Sequence, residues 1–168
     1  MSAPIHFVPI TTDPQVETTA SLAREIWGEF YAPLIGRAQV DYMLGSFQSP
    51  AAIRAQINEG YEYFLVQRGE QPVGYFAVRV QAAQQALFVS KFYVHQRARG
   101  SGTGRACMEF IERLARSRDL ALLWLTVYKG NPSVRAYERL GFRIAADVVT
   151  DIGGGFVMDD FRMEKPLI

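Results

Sequence analysis

The apolar positions of the chain change period near Tyr61, and that change separates a helical front from a strand-rich remainder. After a short first strand in "IHFVPI", the residues Val16, Ala20, Ala23, Ile26, Trp27 and Phe30 recur at helical spacing. Asp13 is expected to cap that helix with Pro14 at its first position, where a missing amide hydrogen costs nothing. Pro33 and Gly36 predict a break. Val40 to Phe47 reads as a second helical piece, and "SPAAIRAQI" as a third with Ser49 as cap. Beyond Tyr61, "YEYFLVQ" and "PVGYFAVRV" predict two strands around the turn "RGEQ". "ALFVSKFYV" is a third, rich in β-branched and aromatic residues. Ala106, Phe110, Ile111 and Leu114 then mark one apolar helical face. The near-continuous run "LLWLTV" predicts a central strand buried on both faces. Asn131 is expected to cap a short helix that begins with Pro132 and ends at Gly141. "FRIAADVVT" and "FVMDDFRMEKPL" around "DIGGG" read as a closing antiparallel pair. The order predicts an α/β fold, a mixed sheet with helices packed on it.

Composition narrows the class. A chain of 168 residues fits one domain, taken as 1–168, and 49% apolar with 21% charged residues is a globular balance. A net charge of +1 gives no global attraction to nucleic acid or an anionic membrane, so neither partner is expected. Cys107 is the only cysteine, which excludes an internal disulfide and leaves the two histidines short of a Cys/His zinc site. No metal is expected. The amino terminus "MSAPIHFVPI" lacks the charged and apolar regions of a signal peptide, and no stretch approaches the ~18 apolar residues of a membrane span. A cytoplasmic compartment is the expectation.

The candidate chemistry begins in "VHQRARGSGTGRACMEF". Between Lys91 and Arg118 seven basic residues face only two acidic ones. The stretch lacks the Gly-Lys-Ser/Thr of a P-loop, and Arg105 stands where a Gly-x-Gly-x-x-Gly fingerprint needs its third glycine. What remains is Arg99-x-x-Gly102-x-Gly104 between a strand and an amphipathic helix. Glycines allow consecutive amides to turn inward, and a helix start leaves its first amides unpaired with a partial positive charge. That is an anion cradle. On this segment alone, a flexible connector with solvated arginines remains equally open.

A second segment, "NPSVRAYERLGF", changes the balance. With "FVSKFYV" and Arg99-x-x-Gly102-x-Gly104 ahead of it, the sequence from about Tyr61 to Lys165 resembles the GCN5-related N-acetyltransferase family. Asn131, Tyr137 and the pair Gly141-Phe142 match the family's second motif in loose form, with Val134 in place of its usual alanine. The resemblance implies a mixed, mostly antiparallel sheet of about seven strands with helices on both faces. It implies acetyl-CoA as cosubstrate and direct attack of a primary amine, of a small molecule or peptide, on its thioester in a ternary complex. The amide of Phe92 would face the thioester carbonyl, where negative charge develops, and that of Val94 the pantetheine. A bulge in "FYV" would splay it from "LLWLTV". Arg99, Gly100, Ser101, Gly102, Thr103, Gly104 and Arg105 would hold the pyrophosphate. Asn131 would cap its helix, bind the cofactor, or both. Tyr137 would protonate the departing thiolate, since a phenol with a pKa near ~10 keeps its proton at neutral pH.

The resemblance thins at the base. Histone-type relatives place a glutamate six residues before the valine of the cofactor strand, and here Phe88 stands there. The candidates elsewhere are Glu29, Asp41, Glu62, Asp159 and Asp160. Adjacent strand residues point to opposite faces, so only one aspartate of "MDD" can look into a site, and Asp160 is the choice. His95 could shuttle protons, and Cys107 falls on the apolar helix face and belongs to the core. Acceptor choice in the family sits in the amino-terminal helices and last hairpin. Here these hold "EIWGEFYAPLIG" and "DYMLGSF", with Tyr31 as the acceptor-side candidate and Trp27, Phe30 and Tyr42 assigned to the core. Carboxylates mixed with aromatics suit a cationic amine with an apolar body. A homodimer is a further expectation from the family. Three alternatives stay open: an acyl-CoA sensor without catalysis, a different phosphate ligand such as a nucleotide, and a longer acyl donor.

Overall fold

The structure, a computed structural model, describes residues 3–167. Among the described residues, seven strands form one sheet in the order β1-β2-β3-β4-β5-β7-β6. They are β1 (Ile5–Pro9), β2 (Glu62–Arg68), β3 (Gln71–Gln81), β4 (Ala86–Val94), β5 (Leu122–Tyr128), β6 (Arg143–Gly153) and β7 (Phe156–Pro166). The pairs β1–β2, β2–β3, β5–β7 and β6–β7 are antiparallel, and β4–β5 is parallel. The helices are α1 (Asp13–Ile26), α2 (Ala32–Ile35), α3 (Arg37–Phe47), α4 (Pro50–Asn58), α5 (Thr103–Ser117) and α6 (Ser133–Arg139), with a π-helical stretch at Trp27–Tyr31. Among the described residues, no helix is long and apolar enough to cross a membrane. The chain forms two compact units: residues up to Arg79 with Lys91–Cys107, and Val80–Ser90 with the chain from Met108 onward.

In the first unit, the expected cap shifts by one residue. Thr12, not Asp13, caps α1 through a capping box, with Thr12 Oγ1 accepting from the Gln15 amide and Gln15 Oε1 accepting from the Thr12 amide at 3.0 Å. The signature Thr-Asp-Pro-Gln explains it, because a Gln three residues after a Thr satisfies two orphan donors at once. Asp13 is left free to pair with Arg54 at 2.9 Å. The predicted break around Pro33 and Gly36 falls at Gly36 (φ +89°), because the proline sits in the first turn of α2, where its missing donor is harmless. Consequently α3 starts at Arg37, earlier than the expected Val40.

β2 and β3 make a hairpin with a two-residue turn, Gly69–Glu70, closed by the pair Arg68↔Gln71. Tyr63 to Val66 and Val73 to Val78 are all buried, so both strands contribute both faces to the core. The register slips between Val66 and Gln67, which leaves Val73 as an extra residue in β3. The Val73 carbonyl accepts the His95 amide at 2.7 Å, just beyond the end of β4. Next to it, Gly74 is indispensable on steric grounds, since a Cβ there would sit 2.6 Å from the Tyr93 carbonyl oxygen. Val73 and Gly74 thus lie against the backbone of Tyr93 to His95.

In the second unit, β4 pairs with β5 over Ala86↔Leu122, Leu87↔Leu123 and Phe88↔Trp124. β5 lies between β4 and β7 in the sheet, but it is not buried on both faces as its run of apolar residues predicted. Leu123, Leu125 and Val127 are buried and Thr126 is exposed. Its other face is covered by side chains: Phe88 stacks on Trp124 with ring centroids 4.1 Å apart, and the Arg162 guanidinium lies 4.0 Å above the indole. The helix α6 begins one residue later than expected. Asn131 still serves its start, since Oδ1 accepts the Ser133 amide at 2.8 Å. Gly141 (φ +99°) ends it, with Lys165 donating to the Leu140 carbonyl at 2.7 Å. On α5 the buried stripe runs through Cys107, Met108, Ile111 and Ala115, whereas Ala106, Phe110 and Leu114 are only half-buried.

Candidate active site

The sequence candidates fall into two groups. Phe92, Val94, Arg99 to Arg105 and Tyr31 belong to the first unit, and Asn131, Tyr137 and Asp160 to the second. In the first group, β4 ends at Val94 and His95 redirects the chain. His95 is buried, and its Nδ1 accepts the Arg97 amide at 3.3 Å, which caps the 3-10 turn Gln96–Ala98. Its Nε2 lies 3.4 Å from Glu25 of α1. This histidine, expected only as a candidate proton shuttle, anchors the entrance to the glycine loop.

The loop then turns through two left-handed glycines, Gly100 (φ +74°) and Gly102 (φ +81°), and enters α5 at Thr103. Side chains shape it from within. Ser101 Oγ donates to the Ala98 carbonyl at 2.6 Å and lies 2.9 Å from Thr103 Oγ1, and Arg68 donates to Thr103 Oγ1 at 3.0 Å. Thr103 is only 1% exposed, so hydroxyls and Arg68 secure the loop while the glycines stay outside. A Cβ added at Gly100, Gly102 or Gly104 would meet nothing within 4 Å. The glycines are therefore needed for conformation at 100 and 102, and they leave open space in front of the α5 amino terminus. An anionic group fits there: the first amides of a helix have no intrahelical partner and carry partial positive charge. The pyrophosphate of acetyl-CoA has that chemistry.

The three arginines differ. Arg97 is engaged with Pro72 O at 3.0 Å and with Glu25. Arg105 is exposed on the first turn of α5. Arg99 donates Nε to the Val94 carbonyl at 3.2 Å and lays its guanidinium 4.1 Å from the centre of the Phe30 ring.

Tyr93, between the two residues expected to meet the cofactor, enters an aromatic cluster. Its ring centroid is 5.3 Å from Trp27, 6.0 Å from Tyr31 and 5.3 Å from Tyr75. Trp27 is core, as expected, while Phe30 and Tyr42 are half-buried. On the same face of β4, Lys91 is buried and donates to Gln56 Oε1 at 2.8 Å, with its ammonium 5.7 Å from the Tyr63 ring centre. Burial pushes its pKa down to about 8. A lysine in an apolar strand was the available signal for this group. Cys107 is core, with burial pushing its thiol up to about 12.

In the second group, Tyr137 is buried on α6 and meets Phe142 edge-on, with centroids 5.9 Å apart. Asn131 is buried as well. The two aspartates of "MDD" separate clearly. Asp159 pairs with Lys129 at 2.9 Å. Asp160 stands directly between Tyr128 of β5 and Val148 of β6, and its buried Oδ1 has no hydrogen-bond donor among the described residues. Desolvation, with help from the Asp159 charge and against that of Lys129, raises its pKa to about 6. Of the other carboxylates, Glu29 and Asp41 are exposed, Asp41 beside Arg37, and Glu62 is half-buried. The position of the missing glutamate, Phe88, is half-buried and belongs to the Trp124 stack. Among the described residues no group of three or more His, Cys, Asp or Glu is placed to hold a metal.

A glycine-rich loop leads from a strand into a helix on a mixed seven-stranded sheet. The sequence profile of the acetyltransferase (GNAT) family matches residues 21–142, well over half of the chain, and the chain belongs to that family. The PaiA N-acetyltransferase of Thermoplasma acidophilum, solved in complex with coenzyme A, is 18% identical and superposes with a TM-score of 0.78 over 98% of this chain and 99% of that one. A GCN5-related N-acetyltransferase from Rhodopseudomonas palustris is 16% identical, with a TM-score of 0.83 over 99% and 98%. Nourseothricin acetyltransferase is 27% identical over 65% of this chain and 66% of that one, with a TM-score of 0.58. The first two likenesses establish the fold. A search of curated proteins returns no match.

Proposed function

We propose that this chain is a single-domain N-acetyltransferase that moves the acetyl group of acetyl-CoA to a primary amine of a small molecule or peptide. The observation that carries the reading is the loop Arg99–Arg105, with two left-handed glycines and open space before the α5 amides. Acetyl-CoA supplies the activated acyl thioester. The amides of Gly100 to Arg105 bind its pyrophosphate, and the amides of Phe92 and Val94 orient the thioester and pantetheine. The amine nitrogen forms its bond to the acyl carbon as the carbon–sulfur bond breaks; Tyr137 gives its proton to the sulfur, and Asp160 takes one from the amine. Tyr31 and Tyr93 supply the aromatic surface for a cationic acceptor. The direct test is an amine panel with detection of free CoA. Release on at least one primary amine, none with the tertiary analogue, is the expected result; no release across a broad panel sinks the enzyme reading.

Asp160 gives that reading a pH signature. Its folded pKa of about 6 lies above the ordinary 3.8, so the folded chain holds this proton more tightly than the unfolded one. Stability from the protonated form is complete below about pH 3.8 and is lost as pH rises through about 6. Asp160→Asn is therefore expected to melt higher than the parent at pH 7–8, with the gain vanishing below pH 4. The parent's turnover should fall as pH drops through about 6, and the variant should be inactive throughout. Full activity in the variant would remove the base role.

One observation favours a second reading. The Phe88–Trp124 stack occupies the strand position where histone-type relatives carry their base, which suits an acyl-CoA sensor without turnover. Cofactor-dependent thermal stabilisation with no release on any amine would select it.

A further inference from the structure

Resting on the cofactor reading above, we propose that Phe30 is a positioning residue for cofactor binding: its ring holds Arg99 with the outer guanidinium nitrogens presented as a fork to a phosphate of coenzyme A. Two contacts define the posture of Arg99. The guanidinium lies 4.1 Å from the Phe30 ring centre, and Nε donates to Val94 O at 3.2 Å. Stacking uses the face of the guanidinium and hydrogen bonding uses its edge, so the two do not compete. Nε carries one of the five donors of an arginine, and the four on Nη1 and Nη2 have no other partner among the described residues.

The ring is itself held. Tyr31 meets Phe30 edge-on at 4.9 Å and 89°, and Tyr31 stacks on Trp27 at 4.4 Å. Trp27 is buried, so Arg99 rests on a row of rings that begins in the core. All three aromatics lie in the π-helical stretch Trp27–Tyr31. Such widened turns concentrate at functional sites, and here the widening sets two neighbours, Phe30 and Tyr31, against each other. A long cationic side chain loses rotamer freedom when it grips a phosphate. The stack removes part of that loss in advance, and does so for Arg99 alone. Arg97 is committed to Pro72 and Glu25, and Arg105 has no such support among the described residues.

The experiment is calorimetric titration of coenzyme A into the full chain, for the parent, Phe30→Leu, Phe30→Trp, Arg99→Ala and the Phe30→Leu/Arg99→Ala double variant, at two salt concentrations. Leucine keeps apolar volume and loses the ring face; tryptophan keeps the face. We expect Phe30→Leu to weaken binding by about threefold to tenfold, the size of a cation–π contact. Phe30→Trp should restore it, and the double variant should bind no worse than Arg99→Ala. The salt dependence should flatten in Phe30→Leu as it does in Arg99→Ala. Parent-like binding by Phe30→Leu, or losses that simply add in the double variant, overturn the proposal. A parent chain that does not bind coenzyme A at all overturns the cofactor reading first and this inference with it, a result distinct from either of those.

Discussion

Gly102→Glu is expected to abolish coenzyme A binding while leaving the ligand-free fold in place. Gly102 sits at φ +81° with nothing within 4 Å of a would-be Cβ, so a side chain there has room. Its direct cost to the fold is the left-handed backbone, on the order of 1–2 kcal/mol for a non-glycine residue. That is a loss a domain of this size can absorb. The loss of binding has a different origin: a carboxylate placed where the pyrophosphate approaches opposes it by like charge and fills the space it needs. Thermal shift measures both at once. Coenzyme A at a hundred times its dissociation constant stabilises the parent by about 2.7 kcal/mol, a shift of roughly 5–10 °C. The variant should melt a few degrees lower than the parent without ligand and show no shift with it. Gly102→Asn, which tolerates the left-handed region, is the control and should keep most of the shift. A full shift in Gly102→Glu would remove the loop from the cofactor site.

The second large effect is on the chemical step alone. Tyr137→Phe should lower turnover by about a hundredfold or more, in the range that a positioned general acid contributes. Coenzyme A affinity should be unchanged. The substitution removes one oxygen and keeps the ring that meets Phe142, so the packing of α6 is retained. Rate loss without loss of affinity is the signature of a group that acts only in the transition state. A kcat equal to the parent's would assign Tyr137 to packing.

How much of this was legible beforehand follows from the range of the interactions involved. Local signals read well. Ser49 with Pro50, the Gly69 hairpin and the glycine loop each depend on a few consecutive residues, and they stand where the spacing places them. The cap of α1 moved by one residue because two overlapping local signals, Asp-Pro and Thr-Asp-Pro-Gln, compete, and the one that satisfies two donors wins. What could not be read depends on pairing across strands. The run "LLWLTV" carries no sign that Arg162, far along the chain, covers one of its faces. The need for glycine at position 74 arises from the Tyr93 carbonyl, and the choice between Asp159 and Asp160 from Lys129. Parity along the strand says that the two aspartates differ and Asp160 is the choice there; the Lys129–Asp159 pair supplies the physical reason that Asp160 Oδ1 is the one with no donor among the described residues.

The stack of Phe88 on Trp124 has a use apart from catalysis. The chain contains two tryptophans, Trp27 in the first compact unit and Trp124 in the second. Their surroundings differ: Trp27 lies among tyrosines, and Trp124 is sandwiched between a phenylalanine and a guanidinium, with its Nε1–H given to Gln81 at 2.7 Å. Each unit therefore carries its own intrinsic fluorophore. Replacing either indole with phenylalanine leaves a single tryptophan beside eight tyrosines, and excitation at the red edge of the band, beyond tyrosine absorption, makes that indole a local reporter of how its own half melts, refolds or responds to a ligand without any attached dye.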